Sequence, residues 1–205
     1  MRENLAEQLR LLLVTDDRLV DLRTLVEVCQ AAVRGGVTAV QLRLKSVPDA
    51  ELVEATRRLV AALPVPVLVN DRLDVALAAG AAGVHLGADD LPPERVRRIV
   101  PTAFIIGASV GDAGEAARGR MADYWGIGPL HGSSTKADAG TALGITGARA
   151  LLELGGGRPA VLIGGVQPLD VAPARAAGFA GVAVASGILG QPDVAAAAGG
   201  YRIQA

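Results

Sequence analysis

Asp71 and Asp90 are the residues of this chain whose type and placement most directly suggest chemistry. They punctuate one stretch, VLVNDRLDVALAAGAAGVHLGADD, over residues 67–90. Val67, Leu68 and Val69 make an apolar run that stops at Asn70-Asp71, and Leu73, Ala76, Leu77 and Gly80 then keep helical spacing. Gly83 opens a second run, VHL, that stops at Gly87 and Asp90. If both runs are strands of one parallel sheet, both acids lie at the same sheet end. Two neighbouring carboxylates make a hard, oxygen-rich site suited to Mg²⁺. A plainer reading has Asp71 and Asp90 capping the helices that follow them, the second before Pro92-Pro93. The residues alone leave both readings open.

The other strand ends carry cations, hydroxyls and glycines. Arg43 and Lys45 alternate in one run and so project to the same side. In an apolar setting two such cations need anions, with Arg as a planar fork for phosphate and Lys as a point charge. An outward salt bridge is the alternative. Gly164-Gly165 and Ala185-Ser186-Gly187 suit a phosphate held by backbone N–H groups. Ser133, Thr135 and Lys136 add hydroxyls and a cation within a Gly-containing loop over residues 130–144, long enough to be a functional lid. Asp16, Gln41, Asn70 and Ser109 complete the polar inventory. It holds no obvious general base: His85 lies inside an apolar run and reads as structural, and spacing gives His131 no partner. Two phosphate-binding regions, a candidate Mg²⁺ pair and no base point to a phosphorylated acceptor and a diphosphate leaving group.

The elements that must position these residues alternate regularly. Strands are expected over residues 11–16, 38–45, 64–70, 83–87, 104–109, 123–129, 159–165 and 181–186. Helices are expected over 22–33, 48–63, 73–80, 92–100, from 110 to 121, 146–154, 168–177 and 191–198, with a short lead-in helix over 1–10. Gly35-Gly36 is a helix-stop signal. Strand–helix alternation without hairpin signals predicts a parallel sheet, and eight such units predict a single-domain α/β (β/α)₈ TIM barrel spanning residues 1–205. At 205 residues each unit averages about 25, which is compact for this architecture. An open doubly wound sheet is the alternative, but no Gly-rich dinucleotide fingerprint follows the first strand.

Composition narrows the partners. Lys and Arg number 20 and Asp and Glu 21, so no broad basic surface invites nucleic acid. Aromatics are 2% of residues, too few for a base-stacking platform. No apolar run approaches the length of a membrane span. The lone Cys29, in an apolar helical stretch, reads as buried, and one cysteine fits a reducing cytoplasm. The expected partners are small molecules, not nucleic acid or membrane. The sequence is compatible with a homo-oligomer and does not decide the oligomeric state.

These motifs carry a resemblance. VTD at residues 14–16, QLRLK at 41–45, the 67–90 stretch, IIGAS at 105–109, GIGP with STKADAG, and IGG with GVAVASGI are similar to the thiamine-phosphate synthases in nearly the whole chain and in the same order. The resemblance implies a (β/α)₈ enzyme, a cytoplasmic transferase of thiamine biosynthesis. Such an enzyme joins an aminopyrimidine methyl diphosphate to a thiazole phosphate and releases diphosphate. The implied mechanism is Mg²⁺-assisted and dissociative. By motif, it implies Asp71 and Asp90 as Mg²⁺ ligands, and Arg43, Lys45, Asn70 and Lys136 on the diphosphate. Gln41 and Ser109 would face the pyrimidine, and Ser133, Thr135, Gly165, Ala185 and Ser186 would hold the thiazole phosphate. Ser109, Lys136, Arg43 and Lys45 are the implied catalytic set.

The chain departs from that pattern at Leu44, where the family usually has Glu, at Ala88, where it usually has Gln, and over Val110-Gly111-Asp112, where a His and a hydroxyl commonly follow the Ser. The related TenI-type thiazole tautomerases typically lack the Asn-Asp and Thr-Lys pairs and use that His. This chain keeps the pairs and lacks the His, which favours synthase. A tautomerase and a non-catalytic thiamine-precursor-binding regulator are the alternatives.

Overall fold

The computed structural model describes residues 4–132 and 141–202. Eight strands form a closed, all-parallel barrel in chain order: β1 (Leu11–Val14), β2 (Ala39–Leu42), β3 (Val67–Asn70), β4 (Gly83–Leu86), β5 (Ile105–Val110), β6 (Tyr124–Ile127), β7 (Ala160–Ile163) and β8 (Gly181–Val184). The ring closes through Leu12↔Ala183 between β1 and β8. A lead-in helix α1 (Leu5–Gln8) precedes β1. Helices α2 (Leu25–Gly35), α3 (Asp49–Ala62), α4 (Leu73–Ala79), α5 (Pro93–Arg97), α6 (Ala113–Arg118), α7 (Gly144–Leu154) and α8 (Val171–Ala176) follow β1 to β7. After β8 come α9 (Ser186–Leu189) and α10 (Val194–Gly199). The expected (β/α)₈ barrel is the observed fold.

Side-chain parity explains why these strands, largely apolar, are buried on both faces. One set of alternate residues (Leu11, Leu13, Val40, Leu42, Val67, Val69, Val84, Ile106, Trp125, Leu162, Val182) packs outward into the layer shared with the helices. The other set, including Leu12, Val14, Ala39, Leu68, Tyr124, Val161 and Ala183, fills the interior, and Leu5 and Leu9 pack with it. This second parity, followed to the C-terminal ends of the strands, reaches Gln41, Asn70, His85 and Ser109. Cys29 lies in the outer layer with no exposure, and burial pushes its thiol up to about 12, so it behaves as a small apolar residue.

Several element boundaries differ from expectation, each for a local reason. β2 stops at Leu42 rather than Lys45 because Thr15 replaces the ladder there: its Oγ1 accepts the Arg43 N–H at 2.8 Å. Helix α2 starts at Leu25, since Asp21 instead holds Arg23 through backbone and guanidinium hydrogen bonds. The stretch 168–177 divides into a 3₁₀ turn at Pro168–Asp170 and α8. After β8 the chain makes an extra helix, α9, before the expected last one. Gly36 ends α2 in the left-handed conformation, φ 115°. Among the described residues no helix is long and apolar enough to cross a membrane.

Candidate active site at the C-terminal mouth of the barrel

The polar residues gather where the strands end. Just past β1, Asp16 is 1% exposed and receives Nε and Nη2 of Arg18 at 2.9 and 2.6 Å. The Arg18 guanidinium, helped by Arg43, holds the Asp16 carboxyl below the ordinary carboxylate range. Arg43 Nη1 lies 3.6 Å from Asp16 Oδ2. Arg43 therefore faces into the mouth, held at its backbone by Thr15 and at its guanidinium by Asp16. The outward salt bridge considered for it is not what forms. Leu44, next in the chain, is buried in the outer layer, consistent with its pointing away from its neighbours. Lys45 is exposed at the rim.

Gln41 and Asn70 meet across β2 and β3, Gln41 Nε2 donating to Asn70 Oδ1 at 2.8 Å. Gln41 is 3% exposed, and its Oε1 is buried without a hydrogen-bond partner among the described residues. An orphaned acceptor of this kind is costly unless a ligand or water donor meets it.

The carboxylate pair is the most unusual geometry in the mouth. Asp71 has φ 63°, the left-handed region, and is the one non-glycine residue found there among the described residues. Asp tolerates that region better than most residues, but the conformation still costs free energy and marks a functional candidate. Asp71 N donates to His85 O at 2.8 Å, which locks the turn. Asp90 Oδ2 accepts the Gly87 N–H at 2.6 Å, and a Cβ on Gly87 would lie 3.3 Å from Asp90 Oδ2 and 3.9 Å from Asp71 Oδ1. Burial first, then the hydrogen bond and negative charge of Asp90, push the Asp71 carboxyl up to about 6, against the opposing pull of Lys45 and Arg43. The capping reading of both acids is overturned: α4 has Arg72 at its N-cap and α5 has Pro92, and neither cap shows a side-chain hydrogen bond. A half-buried pair of carboxylates is a donor set that fits a hard divalent cation. No group of three or more His, Cys, Asp and Glu arranged for a metal occurs among the described residues. Any ion here would complete its shell from ligand oxygens and water, as Mg²⁺ commonly does.

On β5, Ser109 is half-buried, and its Oγ lies 3.1 Å from His85 Nε2. His85 Nδ1 in turn lies 2.8 Å from the Tyr124 hydroxyl. His85 is buried, as expected for an interior strand residue, but its contact with Ser109 brings it into the site. Sequence reasoning missed that link, and Tyr124 with it.

The far side of the mouth is built from backbone. Gly164 and Gly165 take φ 92° and 69° at the end of β7. The register Ile163↔Ala183, carried two residues on, sets Gly165 beside Ala185. Ala185 is the N-cap of α9, so Ser186 and Gly187 begin that helix with N–H groups that have no partner within it. Tyr201 braces this side: its hydroxyl donates to Val166 O at 3.2 Å, and a Cβ on Gly187 would come within 2.2 Å of it. His131, for which spacing gave no partner, has its Nε2 3.1 Å from Asp170 Oδ2. The loop after β6 returns to its own start, with Leu143 N–H donating to Pro129 O at 2.8 Å and Gly144 N–H to Leu130 O at 3.1 Å. Ser133, Thr135 and Lys136 lie outside the described residues.

The structure thus brings Gln41 to Asn70, Asp71 to Asp90 with Arg43 and Lys45 nearby, and Ser109 to His85. It sets Gly165, Ala185 and Ser186 across the ring from them. Comparison with known proteins gives the same frame. Residues 11–188 match the family model described as thiamine monophosphate synthase. A thiamine-phosphate synthase of Methanoculleus marisnigri is 43% identical over 94% of this chain and 93% of its own. One of Azorhizobium caulinodans is 45% identical over 93% of this chain and 92% of its own. The solved structure of thiamine phosphate pyrophosphorylase from Pyrococcus furiosus superposes with a TM-score of 0.86 at 35% identity, covering 97% of this chain and 96% of that one. With its motifs in family order at the mouth of the family's barrel, this chain belongs to the thiamine monophosphate synthase family.

Proposed function

We propose that this chain is a cytoplasmic transferase that joins an aminopyrimidine methyl diphosphate to a thiazole phosphate, releasing diphosphate and forming thiamine phosphate within one barrel domain. The observation that carries the reading is the strained, half-buried Asp71 beside Asp90 with Arg43 and Lys45 around it. Two acids forced together among cations suit a cation-bound diphosphate better than a neutral ligand.

Asp71 and Asp90 would hold Mg²⁺, whose chemistry is to offset negative charge on the departing diphosphate. Arg43 and Lys45, with Asn70 and Lys136, bind the diphosphate oxygens. Asp16 keeps the Arg43 fork aimed by pairing with its Nη1. The orphaned Gln41 Oε1 accepts from the exocyclic amino group of the pyrimidine, and Ser109 faces the same ring. Gly165, Ala185 and Ser186, with Ser133 and Thr135, hold the thiazole phosphate through N–H and hydroxyl donors.

The bond between the pyrimidine methylene and the diphosphate oxygen breaks first, its electron pair leaving with the diphosphate. The thiazole nitrogen lone pair then attacks the methylene carbon. That nitrogen carries no proton, so bond formation needs no general base, in keeping with the mouth's inventory. Preorganised cations and dipoles supply the rate enhancement.

The test is a coupled diphosphate-release assay. Release that requires both substrates and Mg²⁺, and stops with EDTA, is the expected result. A well-folded protein that is silent under those conditions contradicts the proposal.

A further inference from the structure

His85 and Tyr124 form a buried chain that ends on Ser109, and neither has a role in the reaction as described above. The three residues share the interior parity of β4, β6 and β5. Register pairs His85 with Gly107 and Gly107 with Tyr124. Both rings fit only because glycine stands on two sides. A Cβ on Gly107 would come within 2.4 Å of the Tyr124 ring and 2.6 Å of His85 Nδ1, and one on Gly126 within 3.1 Å of His85 Cε1. The His85 and Tyr124 rings are 5.5 Å apart, tilted by 43°. The imidazole is therefore caged, with Nδ1 turned to Tyr124 and Nε2 to Ser109.

For a neutral imidazole, the hydrogen bonds among the described residues of this chain have one consistent arrangement. Tyr124 has no exposed surface, and burial holds its phenol protonated. That proton needs an acceptor, and His85 Nδ1 is the acceptor it meets among the described residues. A neutral imidazole that accepts at one nitrogen donates at the other. Nε2–H therefore donates to Ser109 Oγ. The hydroxyl's own proton must then point elsewhere, and Ser109 is the member of the chain that opens on the mouth.

We propose that His85, its tautomer set by Tyr124, is a positioning residue that turns the Ser109 hydroxyl proton into the mouth as a hydrogen-bond donor, so that the site accepts a pyrimidine through an unprotonated ring nitrogen. This deepens the function proposed above and rests on it for the identity of the ring. Without the chain, the hydroxyl would rotate freely and recognise donors and acceptors alike.

The experiment has two arms. In the first, ¹⁵N-histidine NMR of the ligand-free protein reads the tautomer, with His131→Gln assigning the second histidine. His85 is expected as the Nε2–H tautomer, and Tyr124→Phe should shift it to a mixture. An Nδ1–H tautomer in the unmodified protein overturns the proposal whether or not the protein turns over. In the second, Tyr124→Phe should raise the KM for the pyrimidine diphosphate about tenfold, the worth of one well-made hydrogen bond, and leave the thiazole phosphate KM within about twofold. Ser109→Ala with Tyr124→Phe should cost no more than Ser109→Ala alone, because Tyr124 acts through Ser109. Multiplying losses, or equal rises in both KM values, overturn the proposal. His85→Gln, which keeps a donor at the same end, should recover part of what His85→Ala loses, and equal losses in the two contradict it. Absence of diphosphate release by the unmodified protein would defeat the functional reading alone, leaving the tautomer result to decide this one.

Discussion

The two halves of the barrel mouth are made of different material. The β2–β5 half is built from side chains under tension. A left-handed Asp71 sits against Asp90, Arg43 is clamped by a buried Asp16, and Gln41 keeps an acceptor without a partner among the described residues. The β7–β8 half is built from backbone: glycines with positive φ and the first turn of a short helix. The difference matches the charge each half is proposed to handle. A diphosphate that must depart carrying both electrons of a bond needs formal charges held in place before the reaction. A monophosphate that is only an anchor can be held by N–H dipoles. The first arrangement costs stability and supplies rate. The second costs little and supplies binding.

Substitutions should separate the halves. Asp71→Asn tolerates the left-handed backbone but removes the charge. It should lower kcat by about a thousandfold or more, in the range typical of lost electrostatic stabilisation, with thiazole phosphate affinity unchanged. A loss below about tenfold in steady-state kinetics would break the division. Asp16→Asn should come next. It takes the buried countercharge from Arg43, so the pyrimidine diphosphate KM should rise about ten- to a hundredfold, and denaturant melts should show a loss of stability. Equal effects on both substrates would mean that Asp16 only supports the fold. Gly165→Ala forces a side chain into φ 69° and against the His131 Cβ at 3.0 Å. The thiazole phosphate KM should rise about tenfold with kcat preserved, and a fall in kcat alone would place catalytic work on the backbone half.

The smallest effect is thermal. The Asp71 carboxyl titrates near about 6 in the fold against an ordinary 3.8, so the folded state binds the extra proton between those values. The metal-free protein should therefore lose stability as pH rises from about 4 to about 6 and stay lower above that. Mg²⁺ should raise its Tm by a few degrees at about pH 7.5 and much less at about pH 5, and Asp71→Asn should abolish the difference. A Mg²⁺ effect on Tm that is independent of pH would contradict this origin.

The sequence made the barrel legible because its signals are local and repeated: short apolar runs, helix stops such as Gly36, and Pro93 in the first turn of α5. Most site residues were legible for the same reason, since parallel strands deliver their C-terminal residues to one place. What stayed hidden depends on contacts between strands. Whether Asp71 caps a helix or turns towards Asp90 is decided by one backbone angle, and both outcomes fit the same letters. The clamp of Asp16 on Arg43 spans two strands, and the His85–Tyr124–Ser109 chain spans three. His85 looked structural because nothing within its own strand links it to a serine 24 positions on. His131 met Asp170 only through the packing of the loop after β6 on the turn after β7.

The central claim is that the two halves take two ligands by two kinds of interaction, and titration calorimetry with each substrate alone tests it most directly. The pyrimidine diphosphate should bind in Mg²⁺ and lose most of its affinity in EDTA or in Asp71→Asn. The thiazole phosphate should bind with the same affinity in all three conditions. Mg²⁺-dependent binding of the thiazole phosphate, or metal-independent binding of the diphosphate, would contradict the account.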